Sequence, residues 1–380
     1  MQWNMKQLAR LSVLGAVSFT AAAHAEDVRI GFSGPMTGPQ AHYGADFKNG
    51  VTLAVEEFNA SKPVIAGQPV RIVLDPQDDQ ADPRTATTVA QKLVDSGIKG
   101  MLGHFNSGTT IPASRIYAQA GIPEVAMATA PEYTHQGFKT TFRMMTSDTQ
   151  QGAVVGQFAA KDLGFKKIAI IDDRTAYGQG LADQFEKAAK AAGATIVARE
   201  YTSDQAVDFK AILTKIKSSV PQAVFYGGAD AQAAPLVKQM RTLGMKATLM
   251  GGEMVKTDTF VKIAGNAADG TVASLAGLPL AQMPGGANFT AKYKKRFGSD
   301  VQTYAPYAYD GAMALFTAMK QADSTDPKKY LPKLASLSMT GVTSTEIAYD
   351  ANGDLKHGGI TMYKVVDGKW QPLKSIGGKQ

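Results

Sequence analysis

Short apolar segments alternate with amphipathic helical segments along most of this 380-residue chain, and that alternation restricts the folds open to it. Val28-Arg-Ile-Gly-Phe32 and Val70-Arg-Ile-Val-Leu74 read as strands. Between them, Gly44 to Asn59 carries Phe47, Val51, Leu53, Ala54 and Phe58 at helical spacing. Asp82-Pro83 opens the next helix, with Asp as N-cap and Pro at the first helical position. Lys99 to Gly103 and Pro123 to Ala128 read as strands around a helix over Ser107 to Ala120. The pattern then repeats, with strands at Lys167–Ile171, Ala194–Val197, Ala223–Tyr226 and Ala247–Met250. Helices are expected over Tyr177–Ala192, Asp208–Ser219, Ala231–Leu243 and Thr257–Ala264.

Alternating strand–helix units imply parallel sheets covered by helices on both faces. Two such series imply an α/β protein of two doubly wound, parallel-sheet lobes. Length agrees, because 355 residues remain once a 25-residue leader is removed, more than a single core usually organises. The C-terminal part differs. Tyr304–Ala322 and Pro327–Ala335 look helical, whereas Thr345–Tyr349 and Ile360–Val366 alternate like half-exposed strands. Asp367-Gly368 after the second of these predicts a hairpin. In doubly wound sheets ligands bind beyond the carboxyl ends of the strands, so the strand-to-helix loops are the places to search for chemistry.

The N-terminus carries the marks of an export signal. Lys6 and Arg10 precede an apolar run from Leu11 to Ala23, and Ala23-His24-Ala25 is a small-x-small cleavage site before Glu26. That run is shorter than the roughly 20 residues a membrane span requires. The expected mature chain is a soluble periplasmic protein beginning at Glu26. The absence of cysteine excludes a disulfide framework, a thiol nucleophile, a Cys-ligated metal and a lipid-anchored N-terminus. Loss of the leader lowers the formal charge from +7 to +5. The densest basic cluster, Lys292, Lys294, Lys295 and Arg296, falls on a predicted helix and reads as a solvated face, not a nucleic-acid surface.

Several loops carry candidate binding groups. Gly103-His-Phe-Asn-Ser-Gly-Thr-Thr110 leads from a strand into a helix, so Ser107 either caps the helix or presents a hydroxyl and free N–H groups to an anion. Ala126-Met-Ala-Thr-Ala-Pro-Glu132 ends the next strand and is either a plain turn or a grip for a polar ligand. Asp172 to Gly180 contains a G-x-G, yet Gly178 lies seven residues past Ile171 and Asp183 replaces the third glycine of a dinucleotide fingerprint. Tyr177, as a ring covering a ligand, is the better reading of that loop. Gly227-Gly-Ala-Asp230 and Gly251-Gly-Glu253 place an acid within two residues of paired glycines, where it could hold an ammonium group. Asp230 is equally readable as an N-cap. Ser33 lies in the first such loop with no charged role. Enzyme chemistry finds little support: His42, His104, His135 and His357 are scattered, and neither G-x-S-x-G nor a P-loop occurs.

Together these stretches resemble the periplasmic solute-binding proteins of branched-chain amino acid ABC transporters, the leucine/isoleucine/valine-binding type of the type I periplasmic binding fold. The resemblance rests on Gly34-Pro-Met-Thr-Gly-Pro39 with Tyr43-Gly44, Gly103–Ser107 with Pro112-Ala-Ser114, Ala128-Thr129 with Pro131-Glu132, Tyr177-Gly-Gln-Gly-Leu181, Tyr226-Gly-Gly228 and Ile263-Ala-Gly265. It implies three hinge crossings, near Ser147, Ala276 and Gly359, with lobe 1 spanning 26–147 plus 277–358 and lobe 2 spanning 148–276 plus 359–380. It further implies that Ser107 and Thr129 hold a ligand carboxylate. The ammonium then falls to the Ala128 carbonyl, Thr129 and Glu253, and rings at Tyr43 and Tyr177 flank the side chain. Phe105, Asp230 and Tyr304 complete the candidate ligand-binding set.

Two departures bear on specificity. The family carries an aromatic residue after the paired glycines where this chain has Ala229 and Asp230, and it carries an early cysteine pair absent here. Asp230 could then share the ammonium with Glu253 or contact a polar side chain. The expected function is capture of an aliphatic amino acid, with no cofactor or metal, by a monomer that delivers it to an inner-membrane permease. The alternative is the same fold binding a small amide or an aromatic carboxylate.

Overall fold

A computed structural model describes residues 25–377. The leader expected over 1–25 therefore lies outside the described residues except for Ala25. The first lobe is built on β1 (Glu26–Gly34), β2 (Val64–Ile65), β3 (Gln68–Asp78), β4 (Met101–Leu102), β5 (Glu124–Ala126) and β6 (Thr141–Arg143). Their order is β2-β3-β1-β4-β5-β6, parallel except for β2. The second lobe uses β7 (Lys167–Asp172), β8 (Thr195–Tyr201), β9 (Ala223–Gly227), β10 (Thr248–Gly251) and β11 (Val272–Ala276). After a two-strand ribbon of β12 (Ser338–Met339) and β13 (Ile347–Ala348), β14 (Gly359–Val366) and β15 (Lys369–Gly377) join that sheet. Its order is β15-β14-β11-β10-β9-β7-β8, with β14 and β15 antiparallel.

Helices cover both sheets: α1 (Ala41–Ala60), α2 (Pro83–Asp95), α3 (Ser107–Gln119), α4 (Asp148–Gln157), α5 (Ala176–Ala191), α6 (Lys210–Lys217), α7 (Asp230–Thr242), α8 (Asp258–Ala264), α9 (Gly286–Phe297), α10 (Ala305–Gln321) and α11 (Pro327–Ala335). Local chemistry sets their starts. The Asp82 carboxylate accepts the Thr85 N–H at 2.7 Å ahead of Pro83. The Thr175 hydroxyl accepts the Gly178 N–H at 2.9 Å. From Ile30 onward every residue of β1 is buried, as expected of a parallel strand covered on both faces.

In each lobe the strand order reverses beside the first strand. β1 lies between β3 and β4, and β7 lies between β8 and β9. Both reversals open a crevice at the strands' carboxyl ends. The main apolar cluster runs from Phe32 and Phe47 in the first lobe through Tyr43, Phe105, Tyr304, Met254 and Tyr177 to Phe185 and Phe225 in the second. The cleft is therefore closed.

The chain passes between the lobes three times: between β6 and α4, between β11 and α9, and between β13 and β14. The passages are tied together at Gly359, whose carbonyl accepts the Gly277 N–H at 2.6 Å and the Thr146 hydroxyl at 3.2 Å.

Several elements differ from the sequence expectation. β4 and β5 are shorter, because Gly103 leaves the ladder at φ +129° and the Met127 N–H bonds instead to the His104 carbonyl. Of Thr345–Tyr349, only Ile347 and Ala348 pair as a strand, because the Ser344 and Thr345 carbonyls close a turn with Gly341 and Thr340. The short β6, α4 and the small-residue strand β11 were not expected from pattern. The hairpin at Asp367-Gly368 joins β14 to β15. The basic cluster lies on α9, where Lys292 and Arg296 pair with Glu57 and Glu56 of α1 and Lys294 pairs with Asp300.

Candidate functional site

Two Tyr-Gly pairs, one per lobe, open helices at the crevices. A Cβ on Gly44 would lie 1.9 Å from the Pro35 carbonyl oxygen, and one on Gly178 would lie 2.2 Å from Asp173 Oδ1. Only glycine lets the first turns of α1 and α5 approach the preceding loops this closely. That approach turns Tyr43 and Tyr177 into the cleft, where both are buried.

From the first lobe, Ser107 is the first residue of α3, and Asn106, not Ser107, occupies the N-cap position. The Ser107 Oγ accepts the Ala130 N–H at 3.1 Å, which leaves its own proton to donate. Asn106 is tied to Gln40 at 2.7 Å, and its Oδ1 is buried without a partner. His104 props this loop from behind. Its Nδ1 meets Asp79 Oδ2 at 2.7 Å and its Nε2 meets the Tyr117 hydroxyl at 3.2 Å, with both members of the His–Asp pair fully buried. Ser33 is fully buried too, and its hydroxyl bonds the same Asp79 oxygen at 3.2 Å. Ser33 thus supports the loop and is not the inert position its sequence suggests. Its hydroxyl meets the carboxylate and not the imidazole, so these three residues do not form a nucleophile–base pair.

The next loop carries Ala128 and Thr129, both buried. The Thr129 carbonyl accepts the Asp148 N–H at 2.8 Å. The Ala128 carbonyl, assigned to an ammonium by the resemblance, already accepts from Arg143 Nη1. Arg143 is wholly buried and also reaches the Ala130 carbonyl at 3.1 Å, the Thr134 hydroxyl at 2.9 Å and Asp354 Oδ1 at 2.7 Å. A guanidinium against that oxygen opposes the approach of a second cation.

The second lobe contributes Glu253, 3% exposed, from the loop after β10. Its Oε2 accepts from Gln151 Nε2 at 2.5 Å and from the Tyr177 hydroxyl at 3.0 Å. Gln151 is itself oriented by Ser274 at 2.9 Å. One helical turn before Gln151, on α4, stands Asp148, which is fully buried and makes no well-formed hydrogen bond through either carboxylate oxygen, although Thr129 and Gln151 lie near it. Burial, then the charge of Glu253, hold the Asp148 carboxyl well above the usual range, against the opposing influence of the nearby Thr129, Arg143 and Gln151. Burial also raises that of Glu253, against the opposing bonds from Gln151 and Tyr177. Two buried acids thus lie close enough to repel one another, and an ammonium group beside Glu253 would relieve that repulsion.

Phe105, Ser107, Met127, Thr129, Tyr177, Glu253, Met254 and Tyr304 line a small cavity between the lobes. Phe105 packs edge-on to Tyr304, with ring centroids 4.7 Å apart. Tyr304 is held by its backbone N–H to Asp46 at 2.6 Å, and its hydroxyl is buried and unpartnered. Besides Ala128, two candidates stand back from this cavity. Tyr43 stacks on Phe105 at 5.5 Å, but its hydroxyl donates to the Met254 carbonyl at 2.7 Å. Asp230 is the first residue of α7 and makes no side-chain cap. Its Oδ2 accepts from Thr257 at 2.6 Å and contacts His42 Nε2 at 2.9 Å, so its partners are protein groups and not the cavity.

The structure therefore brings Phe105, Ser107, Thr129, Tyr177, Glu253 and Tyr304 to one cavity. Sequence reasoning missed Asp148, Gln151 and Arg143. Asp148 follows Ser147 at a helix start and reads as an ordinary first-turn acid. Nothing local shows that it lies within reach of the charge of Glu253, over a hundred residues away. Among the described residues no cluster of His, Asp and Glu side chains could hold a metal ion.

Comparison with known proteins agrees with this architecture. The profile of the periplasmic binding protein family matches residues 27–369. A Leu/Ile/Val-binding protein homolog of Brucella suis is 35% identical over 368 residues, covering 96% of this chain and 98% of the relative. A leucine-, isoleucine-, valine-, threonine- and alanine-binding protein of Pseudomonas aeruginosa is 32% identical, covering 94% of each chain. The crystal structure of the leucine-binding protein LivK from Thermotoga maritima superposes with a TM-score of 0.85 at 26% identity, covering 92% of this chain and 98% of that one. With two doubly wound lobes closing on a cavity lined by hydroxyls and the Glu253 carboxylate, this chain belongs to the periplasmic binding protein family.

Proposed function

We propose that this protein is the soluble receptor of an ABC importer, and that it captures an aliphatic amino acid of the branched-chain type for an inner-membrane permease. The single observation that carries the reading is the polarity of the cleft. One lobe offers the Ser107 and Thr129 hydroxyls and the free N–H groups at the start of α3 to a carboxylate. The other lobe offers Glu253, which lines the cavity, to an ammonium. Phe105, Tyr304, Met127, Met254 and Tyr177 leave an apolar space for the side chain. A zwitterion meets its complement at each end only when the lobes are together, so its differential affinity favours closure. The names of the relatives in Brucella and Pseudomonas support the same ligand class.

In this reading residues 26–147 with 277–358 move as one body and 148–276 with 359–380 as the other. The leader is removed after Ala25, and the mature protein works as a periplasmic monomer without catalysis. The test is a thermal-shift screen of refolded, ligand-free protein against the twenty amino acids, small amides and aromatic acids. A ligand at about 100-fold over its Kd adds about 2.7 kcal/mol and raises Tm by several degrees. Stabilisation by leucine, isoleucine or valine is expected. Stabilisation by benzoate or an amide alone overturns the amino-acid reading.

A further inference from the structure

Asp230, next to the position where the family carries an aromatic residue, does not line the cavity, and the geometry around it has another use. Asp230 opens α7 in the second lobe, and its side chain is 1% exposed. Across the cleft, in the first turn of α1, His42 reaches it from the first lobe with Nε2 at 2.9 Å from Oδ2; the imidazole side chain is 29% exposed. The contact therefore sits at the cleft mouth, with the carboxylate inside and the imidazole on the rim. Within its own lobe Asp230 is fixed by the Thr257 hydroxyl at 2.6 Å, and the start of α7 favours its negative charge. Its Oδ1 is buried without a partner.

The neighbouring residue repeats the arrangement. The Tyr43 hydroxyl accepts the Asp230 N–H at 3.3 Å and donates to the Met254 carbonyl at 2.7 Å. The His42 and Tyr43 rings pack with centroids 3.9 Å apart. One turn of α1 thus makes three bonds to the second lobe, and opening the cleft breaks all of them.

We infer that His42 and Asp230 form a latch across the cleft mouth that sets how long the closed state lasts, without touching the ligand. The pair forms only after the lobes meet, so it slows release and leaves encounter unchanged. Asp230 is in this sense a positioning residue, acting through α1 on the closed geometry. The inference requires the lobes to move but not that the ligand be leucine.

Two measurements test it. The chain contains no cysteine, so dyes at Thr88→Cys and Ser218→Cys, one exposed site on each lobe, report closure in ligand-free protein. His42→Ala and Asp230→Ala are expected to lower the closed fraction, and the double variant to lower it no further than the stronger single one. In stopped flow with L-leucine, each single variant is expected to release ligand at least about fivefold faster, with the association rate within about twofold, as for loss of a charged hydrogen bond. Asp230→Asn keeps an acceptor for His42 and Thr257 and should recover part of the loss. Unchanged closed fractions and release rates overturn the latch, as does additive behaviour in the double variant. If wild-type protein fails to bind leucine, the ligand assignment fails instead, and the dye measurement still decides the latch.

Discussion

Replacing Glu253 by glutamine separates a binding role from a structural one, because the two consequences have opposite signs. In the closed cleft the Glu253 carboxylate is 3% exposed and is held through Oε2 by Gln151 and Tyr177. An amide of the same shape can keep both bonds by turning its oxygen toward these donors. Its NH2 group then faces the ligand space and offers donors where an ammonium needs an acceptor. A hydrogen bond to a charged group is worth about 1.5–3 kcal/mol, so Glu253→Gln should weaken amino-acid binding by about 10- to 150-fold. Stability without ligand should move the other way, since the substitution removes one of two buried, mutually repelling carboxylates. Titration calorimetry with leucine gives the first quantity and thermal unfolding of refolded, ligand-free protein the second. Thr88→Ala, on the exposed side of α2, is the control; Ser33 is unsuitable because its hydroxyl is part of the Asp79–His104 support. A Glu253→Gln protein that binds within about threefold of wild type and melts lower without ligand would refute the reasoning, because Glu253 would then be a structural acid.

Two further substitutions probe the same walls. The Asp148 and Glu253 carboxyls both sit above their unfolded values of about 3.9 and 4.3, so the closed, ligand-free state binds more protons than the unfolded chain between those values and the raised ones. Its stability should therefore rise as pH falls from neutral toward about 5, and Asp148→Asn should raise Tm at pH 7.5 and flatten that dependence; an unchanged pH profile of Tm would contradict it. Arg143→Met leaves Asp354 and the Ala128 and Ala130 carbonyls without their buried partner, which should cost about 3–5 kcal/mol in urea unfolding and loosen the loop carrying Thr129. A loss below about 1 kcal/mol would show that water replaces the guanidinium there.

The legible part of the site was the part that local chain chemistry writes down. Ser107 and Thr129 follow strands and precede turns, Tyr177 follows a threonine N-cap, and Glu253 follows paired glycines. Each therefore had to lie at a strand's carboxyl end once the alternating pattern named a parallel sheet. Asp148 and Gln151 were not legible, because their place depends on how α4 leaves the hinge and packs against α5 and β11. Asp230 illustrates the same limit. Its position after β9 was correctly expected, yet its partner, His42, is 188 residues earlier in the chain.

The sequence by itself determined the class of fold and the loops in which binding groups would stand. Hydrophobic period and turn chemistry act over a few residues, and both are written locally. Tertiary structure decided the rest: that Arg143 occupies the Ala128 carbonyl, that Asp148 and Glu253 are buried within reach of each other's charge, and that Asp230 meets a histidine instead of a ligand. These outcomes depend on which side chains meet when two lobes close. Burial then sets their electrostatic consequence, because a carboxylate is costly only where water has been removed and no cation has replaced it.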